Sequence, residues 1–313
     1  MNSRLVLIEH QNKRAWIYPE HGFQLYGFEQ DLDKDHTVSV IYAPDQEKEP
    51  VDRRYGNPIL FPNPSPSHSQ HGPDTWVWQG QVLAIPSHGF ARNMYWHVLD
   101  RREDRVTAEL VPNTNTKLAF PFDFRLQLTC QLDTRGLVLE GRLENTGQEA
   151  FPYALGFHPY LNTPPGRKGG IQDCFVSLPS GVQVQSSDEW KTHSQNSFNA
   201  RQIRCDERLN PAILLLNSGS RQLELEDRAN GLISRVSVAA SEQNMGVWVV
   251  WSASPETPYI CLEPMDRFSQ RVESSGNTAL FTRADPCLPN GLVRWSYRIT
   301  TTNGSIYPEK SRS

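Results

Sequence analysis

Two short segments of the chain carry a histidine and a carboxylate in settings suited to proton transfer. In residues 156–162 (Gly-Phe-His-Pro-Tyr-Leu-Asn), His158 lies between two aromatic residues and directly before a proline. In residues 259–264 (Tyr-Ile-Cys-Leu-Glu-Pro), Glu263 ends an apolar strand and again precedes a proline. An imidazole held rigidly between apolar groups is well placed to give or take a proton. His158 and Glu263 can therefore form an acid–base pair, and the pair indicates a function more strongly than either residue alone.

A third segment, residues 87–92 (Ser-His-Gly-Phe-Ala-Arg), distinguishes His88 from the other histidines. The glycine after His88 permits another group to approach the backbone closely. Each of the three residues also has an ordinary structural interpretation. His88 would be a loop histidine, His158 a core histidine and Glu263 a salt-bridged carboxylate at a strand end. Their joint occurrence is what favours a functional site.

The composition argues against several other classes of function. The 31 basic and 35 acidic residues give a net charge of -4, without the basic excess of a general nucleic-acid binder. None of the five cysteines forms a CxxC pair, so we predict no metal site and no redox motif. Scattered cysteines indicate free thiols in a reducing compartment. The sequence shows neither a signal peptide nor an apolar segment of membrane length, so we expect a cytoplasmic protein without membrane contacts.

Alternating apolar and polar residues predict an all-β fold. The alternating segments are residues 126–132, 137–143 and 223–226. Turn-forming residues separate the strands at 133–136, 145–147, 217–219 and 230–231. Residues 247–251 (Val-Trp-Val-Val-Trp) predict a strand buried on both faces. Many short strands joined by short polar turns are typical of a β-sandwich or barrel.

The sequence predicts one domain over residues 1–313, because no linker divides it. The tail from about residue 306 is expected to be frayed. Residues 57–80 are polar, rich in proline and without clear periodicity. They predict a long loop over one face, where functional residues are common.

Two further segments extend the pattern, namely residues 58–62 (Pro-Ile-Leu-Phe-Pro) and residues 291–297 (Gly-Leu-Val-Arg-Trp-Ser-Tyr). In this order, with Trp96 following the segment around His88, the segments resemble the aldose 1-epimerase (galactose mutarotase) family. The resemblance extends over about residues 20–300, which is nearly the whole chain. Individually the segments are weak signals, but their order and separations make them strong together.

The resemblance implies a fold, a reaction and an acid–base pair. The fold is a large antiparallel β-sandwich of the galactose mutarotase-like supersandwich type. The reaction interconverts the α and β anomers of a free aldose, with no cofactor. His158 matches the family's general acid, and Glu263 matches its general base.

The resemblance also implies sugar-binding residues. His88 matches a second histidine, which contacts the sugar near the reacting oxygens. Asp206 is the best match for a substrate-holding aspartate, and Glu207 and Asp227 are nearby competitors for that position.

The chain departs from the family just after residues 58–62. The family carries a sugar-binding arginine there, and residues 63–68 contain none. Losing a group with several donors would weaken or redirect sugar binding, so Arg92 and Asn63 are the candidates to compensate. The related hexose-6-phosphate epimerases use a segment like that around His88, and a phosphate would need Arg or Lys at the pocket mouth. The available arginines are Arg53, Arg54, Arg92 and Arg267.

The chemistry sets a condition on the acid. Opening a hemiacetal ring takes a proton from the anomeric hydroxyl and gives one to the ring oxygen. His158 must then start protonated, so we predict that Glu263 or another acid holds its pKa near or above neutrality. Three tryptophans are candidates to stack on the sugar, although core packing is the simpler interpretation for each. They are Trp76, Trp78 and Trp96.

Other functions on the same fold stay open at this point. A hexose-6-phosphate 1-epimerase is one alternative, and a non-catalytic carbohydrate-binding protein is another. A binding protein has no use for an acid–base pair, while a glycoside hydrolase usually needs two carboxylates, of which only Glu263 has a suitable context. The expected partner is a small-molecule sugar, with neither nucleic acid nor membrane, and we expect a monomer or a homodimer.

Overall fold

The structure is a computed structural model of the chain. The residues it describes are 5–43, 54–64, 68–69, 71–166, 168–179, 183–186, 202–207, 213–216, 221–239, 245–266 and 286–304.

Strands hold more than half of the described residues, and helices hold few. In chain order these are β1 (Val6–His10), β2 (Lys13–Tyr18), β3 (Gln24–Asp33), β4 (His36–Ser39), β5 (Ile59–Leu60), β6 (His68–Ser69), β7 (Gly72–Pro73), β8 (Thr75–Trp78), β9 (Gln81–Ala84), β10 (His97–Arg101), β11 (Arg105–Leu110), β12 (Phe124–Leu132), β13 (Leu137–Asn145), β14 (Gly156–Phe157), β15 (Tyr160–Asn162), β16 (Cys174–Ser177), β17 (Gln183–Ser186), β18 (Gln202–Arg204), β19 (Ile213–Leu216), β20 (Gln222–Asp227), β21 (Leu232–Val238), β22 (Val247–Trp251), β23 (Tyr259–Met265) and β24 (Leu292–Asn303). The helical elements are α1 (Thr114–Ala119) and two 3₁₀ helices, Ala91–Asn93 and Ile171–Asp173.

The strands form three main antiparallel sheets. A four-stranded sheet has the order β1, β2, β3, β4. A nine-stranded sheet has the order β10, β11, β12, β13, β24, β21, β20, β16, β18. A seven-stranded sheet has the order β17, β19, β22, β23, β14, β5, with β15 also paired to β23. Two small hairpins, β6 with β7 and β8 with β9, lie outside these sheets.

One large apolar core joins the three sheets. Phe157 of the seven-stranded sheet packs on Tyr297 of the nine-stranded sheet, with ring centroids 4.4 Å apart. Val6 and Ile8 of the four-stranded sheet belong to the same buried cluster. Each large apolar side chain buried in this way contributes about 1.5–3 kcal/mol to folding. The predicted antiparallel β-sandwich is therefore confirmed.

The alternating segments form strands as predicted. Along β12, buried residues alternate with half-buried or exposed ones, because successive side chains of a strand point to opposite faces. The turn after β12 is held by Asp133, whose Oδ1 accepts hydrogen bonds from the backbone N–H groups of Arg135 (2.8 Å) and Gly136 (3.1 Å). Strand β22 pairs on both sides and is fully buried at its centre, as predicted. The turn predicted at 217–219 lies outside the described residues.

The long loop predicted for residues 57–80 is wrong. Ile59 and Leu60 pair with β14 inside the seven-stranded sheet, and β8 forms a hairpin with β9. Trp76 is buried, and its indole N–H donates to the carbonyl oxygen of Ala119 at 2.8 Å. The prolines hide the strand period in the sequence, yet the short runs between them still pair.

The prediction of one domain over residues 1–313 stays a prediction, and the tail from about residue 306 lies outside the described residues. No helix within the described ranges is both long and apolar enough to span a bilayer.

Candidate active site

Strand β23 delivers the candidate base. All seven of its residues are buried. Side chains along a strand alternate between faces, so Tyr259, Cys261 and Glu263 share one face. Ile260 and Leu262, on the other face, belong to the large core. Glu263 is therefore anchored on a strand whose seven residues are all buried.

His158 reaches the same face from the connection between β14 and β15. Both strands pair with β23, which brackets the histidine beside Glu263. The backbone N–H of His158 donates to the carbonyl oxygen of Pro58 at 3.2 Å, so the backbone is fixed on its other side as well. His158 Nε2 lies 3.4 Å from Glu263 Oε1. The two residues are only 6% and 3% exposed, respectively, so the pair is almost fully removed from solvent.

Aromatic rings hold the imidazole in place. The Tyr160 ring stacks on His158 at 4.6 Å with an interplanar angle of 6°, and Trp251 meets its edge at 5.8 Å. Tyr259 packs against Tyr160 at 4.9 Å. We call Tyr160, Trp251 and Tyr259 the aromatic cluster. It provides a wall beside the acid–base pair on which the apolar face of a small molecule can rest.

His88 lies next to His158, with ring centroids 5.8 Å apart. His88 Nδ1 is 2.7 Å from the carbonyl oxygen of Pro64. A carbonyl oxygen only accepts, so Nδ1 carries the proton and Nε2 presents a lone pair. Burial, followed by the charge of Arg92, lowers the pKa of His88 to about 4. His88 is consequently a neutral hydrogen-bonding group at neutral pH.

The loop carrying His88 is bound to the strand segment around Phe61. His88 and Gly89 both have positive φ, 67° and 69°. The carbonyl oxygen of Phe61 accepts hydrogen bonds from the backbone N–H groups of Phe90 (3.0 Å) and Ala91 (3.2 Å). A Cβ on Gly89 would lie 2.1 Å from the same oxygen, so this position requires glycine. Asn63, two residues after Phe61, is fully buried beside this junction.

Arg92 also belongs to this neighbourhood. It lies in the 3₁₀ helix after the His88 loop, and its Nη2 donates to the carbonyl oxygen of Ser87 at 3.3 Å. Its positive charge contributes to lowering the pKa values of both His88 and His158.

Asp206 is not brought to the pair by any described contact. Its carboxylate forms a bidentate ion pair with the guanidinium of Arg204, the last residue of the edge strand β18. The ion pair occupies both carboxylate oxygens, so Asp206 has a structural partner of its own.

Burial sets the protonation of the pair. It lowers the pKa of His158 well below its usual range, and electrostatic interaction with His88 and Arg92 acts in the same direction. It also raises the pKa of Glu263 well above the usual range of a carboxyl. The prediction that His158 keeps a pKa near or above neutrality is therefore wrong for the sugar-free protein. Desolvation is the largest cause of both shifts, and it favours the uncharged forms, a carboxylic acid beside a neutral imidazole.

The same face holds a group of possible metal ligands. One donor atom each of His158, Cys261 and Glu263 lies within 4.8 Å of the other two, and all three residues are buried. This group was not predicted from the sequence, because His158 comes from the connection between β14 and β15 and meets Cys261 and Glu263 of β23 only in the folded chain.

The aromatic cluster beside His158 was not predicted from the sequence. The three tryptophans considered instead lie elsewhere, and two of them, Trp76 and Trp96, are buried in the main core. Trp78 packs on Phe122 at 5.1 Å. The available signal for Trp251 was its place at the end of an apolar strand. Of the arginines considered for a phosphate, Arg53 and Arg267 lie outside the described residues.

The chain is similar to known proteins in both sequence and structure. The sequence profile described as Aldose 1-epimerase matches residues 4–282. "Protein LacX, chromosomal" of Lactococcus lactis subsp. lactis is 25% identical over 232 residues, covering 70% of this chain and 76% of that protein. The "Putative glucose-6-phosphate 1-epimerase" of Escherichia coli K12 is 31% identical over 119 residues, or 33% of this chain and 37% of that protein. The crystal structure of a galactose mutarotase-like protein from Lactobacillus casei superposes with a TM-score of 0.77 at 21% identity, covering 96% of this chain and 100% of that one. The last similarity shows a common fold.

Proposed function

The chain belongs to the aldose 1-epimerase family, and from this premise we propose that it interconverts the α and β anomers of an aldose by acid–base ring opening and closure. The observation that carries the proposal is the buried pair of His158 and Glu263, with Nε2 and Oε1 3.4 Å apart. Two groups that exchange protons and lie this close are what concerted proton transfer at an anomeric centre requires.

The proton count of the pair fits both halves of the reaction. With a cyclic sugar bound, the carboxylate of Glu263 takes the anomeric hydroxyl proton while the imidazolium of His158 gives its proton to the ring oxygen. The ring opens, and the pair becomes a carboxylic acid and a neutral imidazole. This is the same state that burial favours in the sugar-free protein. Rotation about the bond next to the anomeric carbon followed by the reverse transfers closes the ring on the other face.

One proton moving across the 3.4 Å gap interconverts the two states of the pair. The pair therefore needs no proton from solvent during turnover. The uncatalysed reaction already proceeds in water, so an acid–base contribution of about 10²–10⁴-fold makes a useful catalyst.

We assign sugar binding to His88, Arg92 and Asn63. The Nε2 lone pair of neutral His88 accepts a hydrogen bond from a sugar hydroxyl, and the Arg92 guanidinium donates to hydroxyl oxygens. The buried amide of Asn63 offers both a donor and an acceptor for a sugar hydroxyl. Asp206 is left out of this assignment because Arg204 already occupies its carboxylate.

Hexose 6-phosphates are a second substrate class to test. The similarity to the Escherichia coli protein supports them, and the Arg92 guanidinium is suited to bind a phosphate. We also propose a cytoplasmic location, which the five free and buried cysteines support.

The deciding experiment is anomer exchange measured by NMR saturation transfer on free hexoses, pentoses and hexose 6-phosphates. The proposal predicts acceleration with at least one sugar class, and loss of that acceleration in Glu263→Gln. Glu256→Gln is the matched control, because Glu256 is exposed in the turn before β23.

Exchange in the wild type that persists in Glu263→Gln would refute the acid–base assignment. Sugar binding seen by line broadening without any exchange would instead identify a non-catalytic carbohydrate-binding protein. The buried pair argues against that outcome, because removing two ionisable groups from water destabilises a fold that has no use for them.

A further inference from the structure

Three donor groups of different chemistry meet at one point of the site. They are the imidazole of His158, the thiol of Cys261 and the carboxyl of Glu263, with one donor atom of each within 4.8 Å of the others. We propose that this triad is a binding site for Zn²⁺, and that the bound ion switches the acid–base pair off. The binding itself rests on geometry alone, whereas the inhibition rests on the proposed epimerase function.

The distances suit zinc. Nitrogen and oxygen ligands at tetrahedral zinc are separated by about 3.4 Å, and nitrogen and sulfur ligands by about 3.6 Å. His158 Nε2 and Glu263 Oε1 already lie 3.4 Å apart. Because all three donors lie within 4.8 Å, the Cys261 sulfur has to close by no more than about 1.2 Å. Three protein ligands leave a fourth tetrahedral position for water.

The charges balance as well. Binding releases two protons, one from the thiol of Cys261 and one from the His158–Glu263 pair. The thiolate and carboxylate then carry two negative charges against the two positive charges of the ion. A neutral complex is the form that a buried site tolerates best. The mixed nitrogen, sulfur and oxygen donors favour zinc over Mg²⁺ or Ca²⁺, which prefer oxygen ligands alone.

Occupation of this site excludes proton transfer. The zinc ion would use the lone pairs of His158 Nε2 and Glu263 Oε1, which the reaction needs to take up and release protons. Cys261 lies on β23 two residues before Glu263, on the same face of the strand. Its thiol transfers no proton in the proposed reaction. Its replacement should therefore remove zinc sensitivity while leaving sugar exchange intact.

The test uses the metal-free full-length protein and Co²⁺ as a spectroscopic probe for Zn²⁺. Co²⁺ should bind with one equivalent, giving a thiolate-to-cobalt charge-transfer band, and Zn²⁺ should displace it. Cys261→Ala should lose the band and bind Zn²⁺ at least about tenfold more weakly. Cys287→Ala is the matched control, because Cys287 is also buried and free but lies at the distant bridge to Phe151. Cys261→Ser, which keeps a side chain of similar size, serves if the alanine variant does not fold.

Absence of the charge-transfer band, or equal zinc affinity in wild type and Cys261→Ala, would overturn the site. Zinc bound through Cys261 without any slowing of sugar exchange would overturn the switch. If no sugar is exchanged at all, the proposed function fails, but the cobalt spectrum still decides whether the metal site exists.

Discussion

Gly89→Ala should damage the protein far more than an alanine substitution at another glycine with the same backbone conformation. Gly89 has a φ of 69°, and an added Cβ would lie 2.1 Å from the carbonyl oxygen of Phe61. Such contacts are not found below 3.0 Å, so the two chain segments must separate by about 0.9 Å. That movement acts directly on the loop that carries His88.

The cost follows from the bonds at this junction. The Phe61 oxygen accepts hydrogen bonds from Phe90 (3.0 Å) and Ala91 (3.2 Å), and a separation of this size breaks both. Each lost bond costs about 1 kcal/mol. Alanine in the left-handed region adds about 1–2 kcal/mol. The reduced freedom of the unfolded chain offsets a small part of this, so we expect Gly89→Ala to lower the free energy of unfolding by about 2–4 kcal/mol.

Gly80→Ala isolates the contribution of backbone conformation. Gly80 has a φ of 80°, and its Cβ would meet nothing within 4 Å. Alanine at position 80 carries the same conformational cost without the clash, and the reduced freedom of the unfolded chain partly offsets that cost. We therefore expect Gly80→Ala to lower the free energy of unfolding by about 1 kcal/mol or less.

Urea unfolding of both variants gives the two free energies, and anomer exchange measured well below the transition reports on His88. We expect Gly89→Ala to be less stable than Gly80→Ala by at least about 2 kcal/mol and to exchange sugar more slowly. Equal stabilities within about 0.5 kcal/mol would show that the Phe61 junction is not a tight contact, and the reasoning would fail.

Three further predictions test the site and the fold. Glu263→Gln should reduce kcat about 10²–10⁴-fold, the contribution of a general base. The same variant should become more stable relative to wild type as pH rises above 4.5, measured as Tm against pH. The pKa of Glu263 is raised in the folded wild type, so above pH 4.5 the unfolded chain loses this proton more readily and wild type is destabilised, whereas glutamine has no proton to lose. Trp251→Leu should raise KM about 2–10-fold with little change in kcat, since it removes a stacking surface worth about 0.5–1.5 kcal/mol, whereas Trp78→Leu should leave KM unchanged. The hydrogen bond from Arg298 lowers the pKa of Asp133 from 3.8 to about 2, so stability present above pH 3.8 is lost towards pH 2. Asp133→Asn should show a weaker loss of Tm over that range, and an unchanged acid transition would contradict the linkage.

The strands could be predicted, and His158 and Glu263 could be singled out, because these signals are local. Period-two alternation defines β12 and β13 directly, since one face of each strand enters the core. His158 and Glu263 likewise stand out by their adjacent residues, since each has apolar neighbours and a proline directly after it. Neither inference needs to know which strands become neighbours.

The features that were missed depend on tertiary neighbours. Glu263 looks like an ordinary carboxylate in sequence, and its raised pKa arises only when β22, β14 and β15 close around it. The pairing of β23 with β15 and with β22 also places Cys261 and Trp251 beside His158. The ion pair of Asp206 with Arg204 could have been suspected from the opposite charges of two residues only two positions apart in the chain.

The division of labour between β23 and the loops bears on how this scaffold can diversify. Glu263, the proposed base, is fixed to a strand whose other face builds the core, so substitutions that disturb its position also threaten folding. Asn63, His88 and Arg92, which are assigned to sugar binding, come instead from the connection after β5, the loop after β9 and the 3₁₀ segment before β10. Evolution, or a protein engineer, can therefore rewrite substrate preference through those connections while the proton chemistry is inherited unchanged.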